Sequence, residues 1–461
     1  MECRFLIKAV RSGLITLLLA YGATAHCEEG DAFAKWAAAH AVPLSTVDST
    51  LSDSELLPLQ SAIGSARIVA LGEAIHGAHE PLAFRNRLFR FLVERMGFTA
   101  IALESGFSES ISARSFIEGD KGDAETAVLD GLGPGLAEYR ESLELVQWMH
   151  DYNAAAAAAK RRKIRLYGAD ITTGGRTNGP RIAINVGLAF LSRADPTTAK
   201  KIRDSLSDSL PDTGNPVAFG PLSAAAQAEF ETRIEQIAKA IQHSREKLIA
   251  NTSADEYRWA LHSIDDAHQL AKCLPLTPSG QVKASVWIPA VTCRDYGMAQ
   301  NVKWILKNEG REGRLLVFAH NDHVENAKED SRRLAGIPER ERPPHMGLHL
   351  HRLYGDALYI IVTSTARTSG DLLASRPLEP DSLDSALASA GLPLMFLDTR
   401  MARQNKAVLT WLSIPRSFNS HLDMHSRITP STAADAYVFI STLTPATPPP
   451  KKAPSNAPSE Q

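Results

Sequence analysis

Residues 66–80 read ARIVALGEAIHGAHE, and they carry the signature of an α/β unit. Ile68, Val69, Ala70 and Leu71 make a short apolar run that stops at Gly72 and Glu73, with His76 and Gly77 close behind. That is the pattern of a buried strand handing ionisable groups to a turn. From Pro81 to Met96 the period becomes helical, with Leu82, Arg85, Leu88, Phe89, Leu92 and Met96 on one face. The unit is strand, loop, helix. In open α/β sheets the ligand crevice lies beyond the carboxyl ends of the strands. Glu73 and His76 therefore fall where chemistry is expected.

Working outward, other apolar runs end in the same way. Ala100–Leu103 runs into Glu104, Ile164–Tyr167 into Gly168, Ala169 and Asp170, and Leu315–Ala319 into His320, Asn321, Asp322 and His323. Ala357–Thr363, Leu394–Leu397 and Tyr437–Leu443 complete the expected strands. Strands alternating with helices over this length predict an α/β fold with a doubly wound, mostly parallel central sheet. One sheet edge would then gather Glu73, His76, Glu104, Asp170, His320 and His323.

Residues 179–290 break the alternation. They are alanine-rich, with helical stretches at Ser223–Ile249 and Ala254–Leu270, and read as a helical insertion forming a cap over the crevice. The helix Arg294–Lys307 leads back to the sheet. The expected organisation is a signal peptide at 1–25, a first part of the core at 26–178, the cap at 179–290, a second part of the core at 291–443, and a disordered Pro-rich tail at 444–461.

The signal peptide rests on Arg4, Lys8 and Arg11 before an apolar run from Gly13 to Tyr21, followed by Ala23-Thr24-Ala25. It implies a periplasmic or secreted protein, with no stable membrane insertion after signal removal, because the apolar run is too short for a span. Of the cysteines, Cys27, Cys273 and Cys293 would remain. Cys273 and Cys293 bracket a segment with Pro and Gly and suit either a disulfide or two reduced buried thiols, and no CxxC spacing suggests structural zinc. A formal net charge of -2, with no basic block, argues against nucleic acid as a partner. The expected partner is a small molecule.

His76 is the natural general base, since an imidazole with an ordinary pKa near ~6.5 accepts a proton at neutral pH. Glu73 would orient that ring, or else cap the following helix. Arg85 sits on the apolar face of its helix, so its guanidinium needs a buried partner, for which Glu73 or Glu104 would serve. It is either a structural ion pair or a substrate-positioning group. Arg294-Asp295, read at the start of a helix, poses the same choice, with Asp295 as a first-turn acid. His320 and His323, with His76 and His79, could instead hold a metal.

Common signatures are missing. Ala83 stands where HExxH needs its second histidine, Leu136 breaks a dinucleotide fingerprint after Gly131–Gly135, and neither a GxSxG elbow nor a GxxxxGK[ST] loop is present. Water activated by His76 is what remains.

The ordered set of motifs resembles the erythromycin esterase family. LGEAIHGAHE at 71–80, Arg85 and Leu88-Phe89, Ala102-Leu103-Glu104, Gly119, Trp148 and Asn153, and Gly168 and Asp170 carry the first half. Arg294-Asp295, Met298-Ala299, Asn301, His320-Asn321, His323, Met346-Gly347 and Gly355 carry the second. The resemblance implies an α/β core with a helical cap and a metal-independent, cofactor-free hydrolytic site, used by resistance enzymes to open a macrolide lactone. It implies that His76 is the base that activates water, with Glu73 and Glu104 as its carboxylate neighbours and Arg85, Arg294, His320 and His323 as the remaining polar groups of the pocket. The expected assignment is then catalysis by His76, Glu73, Glu104 and His320, and substrate or transition-state binding by Arg85, Arg294, His323 and Asp170. Ile75 stands where the family usually has Thr, and the Trp common before the 148–153 helix is lacking around 133–138. The competing readings are a metal-dependent hydrolase built on His76, His320 and His323, and a non-catalytic periplasmic binding protein holding a haem-like or other apolar ligand.

Overall fold

A computed structural model of the chain describes residues 30–48, 53–133, 135–171, 180–206, 222–273, 283–331, 334–372, 377–421 and 424–448. The expected signal peptide at 1–25 lies outside them. The strands are β1 (Val42–Pro43), β2 (Ile68–Glu73), β3 (Ala100–Gly106), β4 (Arg165–Asp170), β5 (Leu315–His320), β6 (Leu358–Thr368), β7 (Leu394–Asp398), β8 (Arg416–His421), β9 (Met424–Ile428) and β10 (Ala436–Leu443). All but β8 and β9 form an 8-stranded sheet in the order β1-β7-β10-β6-β2-β5-β3-β4. From β10 to β4 the pairing is parallel. β7 runs antiparallel to β10, and the short β1 antiparallel to β7. The fold is thus α/β with a mostly parallel sheet, as the strand spacing implies.

Helices cover both faces, which is why the central strands are continuous apolar runs rather than alternating ones. On β2, Ile68 and Ala70 enter one core layer while Val69 and Leu71 enter the other. The second layer is closed by α1 (His79–Met96) and α2 (Arg140–Ala158), through residues such as Leu88, Phe89, Leu145 and Met149. The first is closed by α3 (Ala284–Asn308), α4 (Asn321–Val324) and α5 (Met346–Tyr354), through Met298, Val302, Val324, Met346 and Leu350. The inserted helices, Pro180–Ser192, Pro196–Asp204, Ala224–His243, Arg245–Asn251 and Ala254–Cys273, join this same layer. Trp259 anchors them by stacking on Phe107 and Tyr167 at 4.7 and 5.1 Å. No helix among the described residues is long and apolar enough to cross a membrane.

Several expectations need correction. The stretch Ser223–Ile249 is two helices that meet at Ser244. The returning helix begins at Ala284 rather than Arg294 and carries Pro289 inside it. The hairpin β8–β9 has no clear alternation to announce it. Residues 444–448, expected as the start of a disordered tail, are ordered against the loop after β2, with Ala446 donating to the Gly77 carbonyl at 2.8 Å. The remainder of that expected tail lies outside the described residues.

Cys273 and Cys293 form a disulfide. It ties the last inserted helix to α3 one residue before Arg294. Closing a loop of this size stabilises by roughly 3 kcal/mol, mainly by restricting the unfolded chain. Cys273→Ser combined with Cys293→Ser is therefore expected to lower the free energy of unfolding in urea by about that amount. An unchanged midpoint would mean that the bond does not form in solution.

Candidate active site

The parallel strands β2, β5, β3 and β4 end side by side, so the ionisable residues that close them share one edge. In the pairing register Glu73 stands opposite His320, and Gly106 opposite Asp170. Two glycines permit the close packing there. A Cβ at Gly72 would strike the Asn321 amide, which holds both the Thr363 N–H and its carbonyl and so pins α4 to β6. A Cβ at Gly168 would strike the carbonyls of Ser105 and Gly106, where β3 carries a bulge. Bulges re-aim side chains. This one, between Leu103 and Gly106, contains Glu104.

Glu104 is the hub. Its Oε2 accepts from the His320 backbone N–H at 2.7 Å, and its Oε1 from Arg294 Nη2 at 2.8 Å. His323 Nε2 lies 3.2 Å from the same Oε1. Burial opposes the charge of Glu104, yet His323, His76 and Arg294 outweigh it and hold the carboxyl well below the usual carboxylate range. Arg294 also grips Asp170, donating from Nη2 at 2.6 Å and from Nε at 3.1 and 3.2 Å. Such a fork-shaped contact fixes orientation as well as charge.

His323 is turned by a residue whose role the sequence concealed. Asp295 Oδ1 accepts from His323 Nδ1 at 2.9 Å and from the Met346 N–H at 2.8 Å. Asp295 is thus a fully buried mid-helix acid on α3, not a first-turn acid, because α3 starts at Ala284. Burial works against a charged imidazole, but Asp295 and Glu104 override it and keep His323 protonated well above its ordinary pKa.

His76 is the most exposed ionisable side chain of this cluster. Its Nδ1 is 2.7 Å from Glu73 Oε1, and its side chain is 45% exposed beside a Glu73 that is 1% exposed. With Nδ1 engaged, Nε2 is the nitrogen left for a substrate or water. Burial of Glu73 raises its pKa, only partly offset by His76. Burial pulls His76 down, but the charge of Glu104 and the bond to Glu73 lift it to about 9. The pair therefore holds a proton at neutral pH. His320 stands edge-on to His76, ring centroids 5.3 Å apart. It donates from Nε2 to the Ala74 carbonyl at 3.3 Å, while its Nδ1 accepts from the Asp322 N–H at 3.3 Å. Both ring nitrogens thus serve the backbone of the two loops that meet here.

Arg85 is placed differently from the rest. It is fully buried, with its guanidinium 5.0 Å from the centre of the Phe318 ring. Its bonds go to Asn86 Oδ1 at 2.9 and 3.0 Å and to the Glu141 carbonyl at 3.4 Å. The expected ion pair with Glu73 or Glu104 is not what anchors it, although Glu73 contributes at longer range. Asn86 donates to the same carbonyl at 2.7 Å, and the Glu73 and Glu141 carboxylates act on Arg85 through their charge. Beneath the site, Asn301 bonds the Ala169 and Asp170 carbonyls and Asp266 at 3.0 to 3.2 Å. This is how the inserted helices brace the end of β4.

Among the described residues no group of three or more His, Cys, Asp or Glu is arranged to hold a metal ion. The arrangement offers an accessible imidazole backed by a buried carboxyl, with a partly exposed guanidinium across Glu104. That set can move a proton and stabilise a developing oxyanion.

The family model described as Erythromycin esterase matches residues 93–443. Erythromycin esterase type II of Escherichia coli is 26% identical over 301 residues, covering 64% of this chain and 69% of that protein. A Bacillus subtilis protein described as a putative hydrolase is 24% identical over 417 residues, 83% of this chain and 84% of its own. A Bacillus cereus protein of solved structure superposes with a TM-score of 0.74 at 24% identity, covering 91% of this chain and 99% of its own. An erythromycin esterase variant in its open conformation does so with a TM-score of 0.57 at 17% identity, covering 87% and 97%. These structural likenesses concern the fold alone.

Proposed function

The chain belongs to the erythromycin esterase family, and from that premise we propose that it is an exported hydrolase of carboxylic esters, with macrolide lactones within its substrate class. Water loses a proton to His76 Nε2 as its oxygen bonds to the carbonyl carbon. The C–O bond then breaks, and the leaving alkoxide recovers the proton from His76. No acyl-enzyme forms. The observation that carries this reading is the 2.7 Å bond from a buried Glu73 to Nδ1 of a half-exposed His76. It fixes the tautomer that leaves Nε2 free for water, and Glu73 balances the imidazolium that forms.

Arg294 is the favoured oxyanion partner, because its guanidinium is 34% exposed and carries its charge whatever the state of the base, whereas Arg85 is fully buried. Arg85 is sealed and His320 donates to a backbone carbonyl, so both act as supports in this scheme. The reading is tested by assaying the purified chain against macrolides and simple aryl esters, and no hydrolysis of any of them would overturn it. Export is supported by the N-terminal pattern and by the Cys273–Cys293 disulfide, since such bonds persist in oxidising compartments. A native chain recovered from the cytoplasm with both thiols free would count against it.

A pH profile follows from the charge pattern. His76 must be neutral to accept a proton, and its pKa is lifted to about 9 by Glu104 and Glu73 against the opposing effect of burial. Below that value kcat/KM is expected to rise about tenfold per pH unit and to level off near 9, reporting the Glu73–His76 pair as a unit. For the fold the sign is reversed. A pKa raised above the unfolded value stabilises fully below about 6.5, and that contribution fades as pH climbs through the folded value. Activity should therefore increase where stability declines. A plateau already reached near pH 6.5 would show that neither carboxylate acts on the base.

A further inference from the structure

We propose that Thr444–Thr447 is a clasp that holds the His76 loop in its working geometry, with Glu80 and Thr444 as its positioning residues. This rests on the reading of His76 as the base. The loop between β2 and α1 needs an outside anchor because Ala78, at the N-cap position of α1, has no side chain to bond the first helical N–H groups. The chain beyond β10 supplies it. Thr444 accepts from the His79 N–H at 2.8 Å, and the Ala446 N–H donates to the Gly77 carbonyl at 2.8 Å. Ala78 and Pro445 form an antiparallel bridge between these bonds.

Glu80 closes the clasp from the other side. Its Oε2 accepts from the Thr444 N–H at 2.8 Å and its Oε1 from the Thr444 hydroxyl at 2.7 Å. A second tie joins the clasp to α2: the Arg140 N–H donates to the Thr447 carbonyl at 2.8 Å, and His79 Nδ1 lies 2.6 Å from Glu141 Oε1. The strand and the helix on either side are already fixed by the apolar core. What the clasp adds is the position of the backbone immediately after His76. A displacement of the order of 1 Å in a catalytic group costs up to roughly a hundredfold in rate.

The test uses the full chain and the variants Glu80→Ala, Glu80→Gln, Thr444→Val and Glu80→Ala with Thr444→Val. Glu80→Ala is expected to lower kcat about tenfold with KM changed less than about twofold, and to move the NMR titration of the His76 ring toward the ordinary imidazole range. Glu80→Gln, which can still accept from the Thr444 N–H, should recover most of the rate. The double variant should be no slower than Glu80→Ala, since Thr444→Val removes only the hydroxyl bond, one of the two that Glu80→Ala already breaks. Unaltered kcat and an unaltered His76 titration in Glu80→Ala, whatever its melting temperature, would reduce the clasp to a stabilising contact. If Glu80→Ala fails to fold, Thr444→Val decides by the same two readouts. The NMR titration needs no substrate, so it judges the clasp even if no ester is hydrolysed.

Discussion

His76→Ala is expected to lower kcat for ester hydrolysis by about a thousandfold, within the range of roughly 100- to 10,000-fold that a positioned general base supplies. The fold should survive. The side chain is half exposed and sits on a loop, so its loss opens no cavity in either core layer. The one buried group left without its partner is Glu73, whose pKa burial already raises. It can take up a proton and stay neutral, which limits the penalty to that of an unsatisfied polar group, about 1–3 kcal/mol. Rates measured beside thermal unfolding separate the two effects. A variant that keeps more than a tenth of the parental kcat would rule out His76 as the base, and the proposed reaction with it.

The sequence places this centre well because parallel strands start and stop together. An acid or imidazole that ends a buried apolar run must lie at the common edge, so Glu73, Glu104, Asp170, His320 and His323 were legible as neighbours in space. Which of them touch was not. The bulge that turns Glu104 toward Arg294 and His323 depends on one extra residue in β3, which no local pattern marks. The sequence hides the mid-helix place of Asp295, because the periodicity of α3 is clear only after Arg294 and the ten residues before it, with Pro289 among them, look irregular. For Arg85 the general rule that a buried charge is paired points to a carboxylate. Its actual neighbours, Asn86 and the Glu141 carbonyl, come from the next residue and from a helix more than fifty positions away. The clasp was invisible for a different reason. Its backbone bonds leave no mark in the side-chain pattern, and a Pro- and Thr-rich stretch reads as disorder when the loop it pairs with is remote in sequence.

Arg294→Ala should be almost as damaging as the loss of His76, and on two counts. The guanidinium donates to Asp170 and to Glu104, whose side chains are 3% and 8% exposed. Removing one partner of a fully buried ion pair costs about 3–5 kcal/mol. Arg294 is one-third exposed, so solvent screening should reduce that to roughly 2–3 kcal/mol, read as a shift of the urea midpoint. Activity should fall further than stability alone explains. An alanine there leaves the developing oxyanion without its accessible cation, a loss of about 100- to 1000-fold in kcat. Arg294→Lys sharpens the test, because an ammonium keeps the charge but cannot span two carboxylates at fixed angles. It should recover most of the stability and only part of the rate. If both variants unfold as expected yet turn over within about threefold of the parent, Arg294 merely ties β3 and β4 to α3, and the oxyanion must be met by another group.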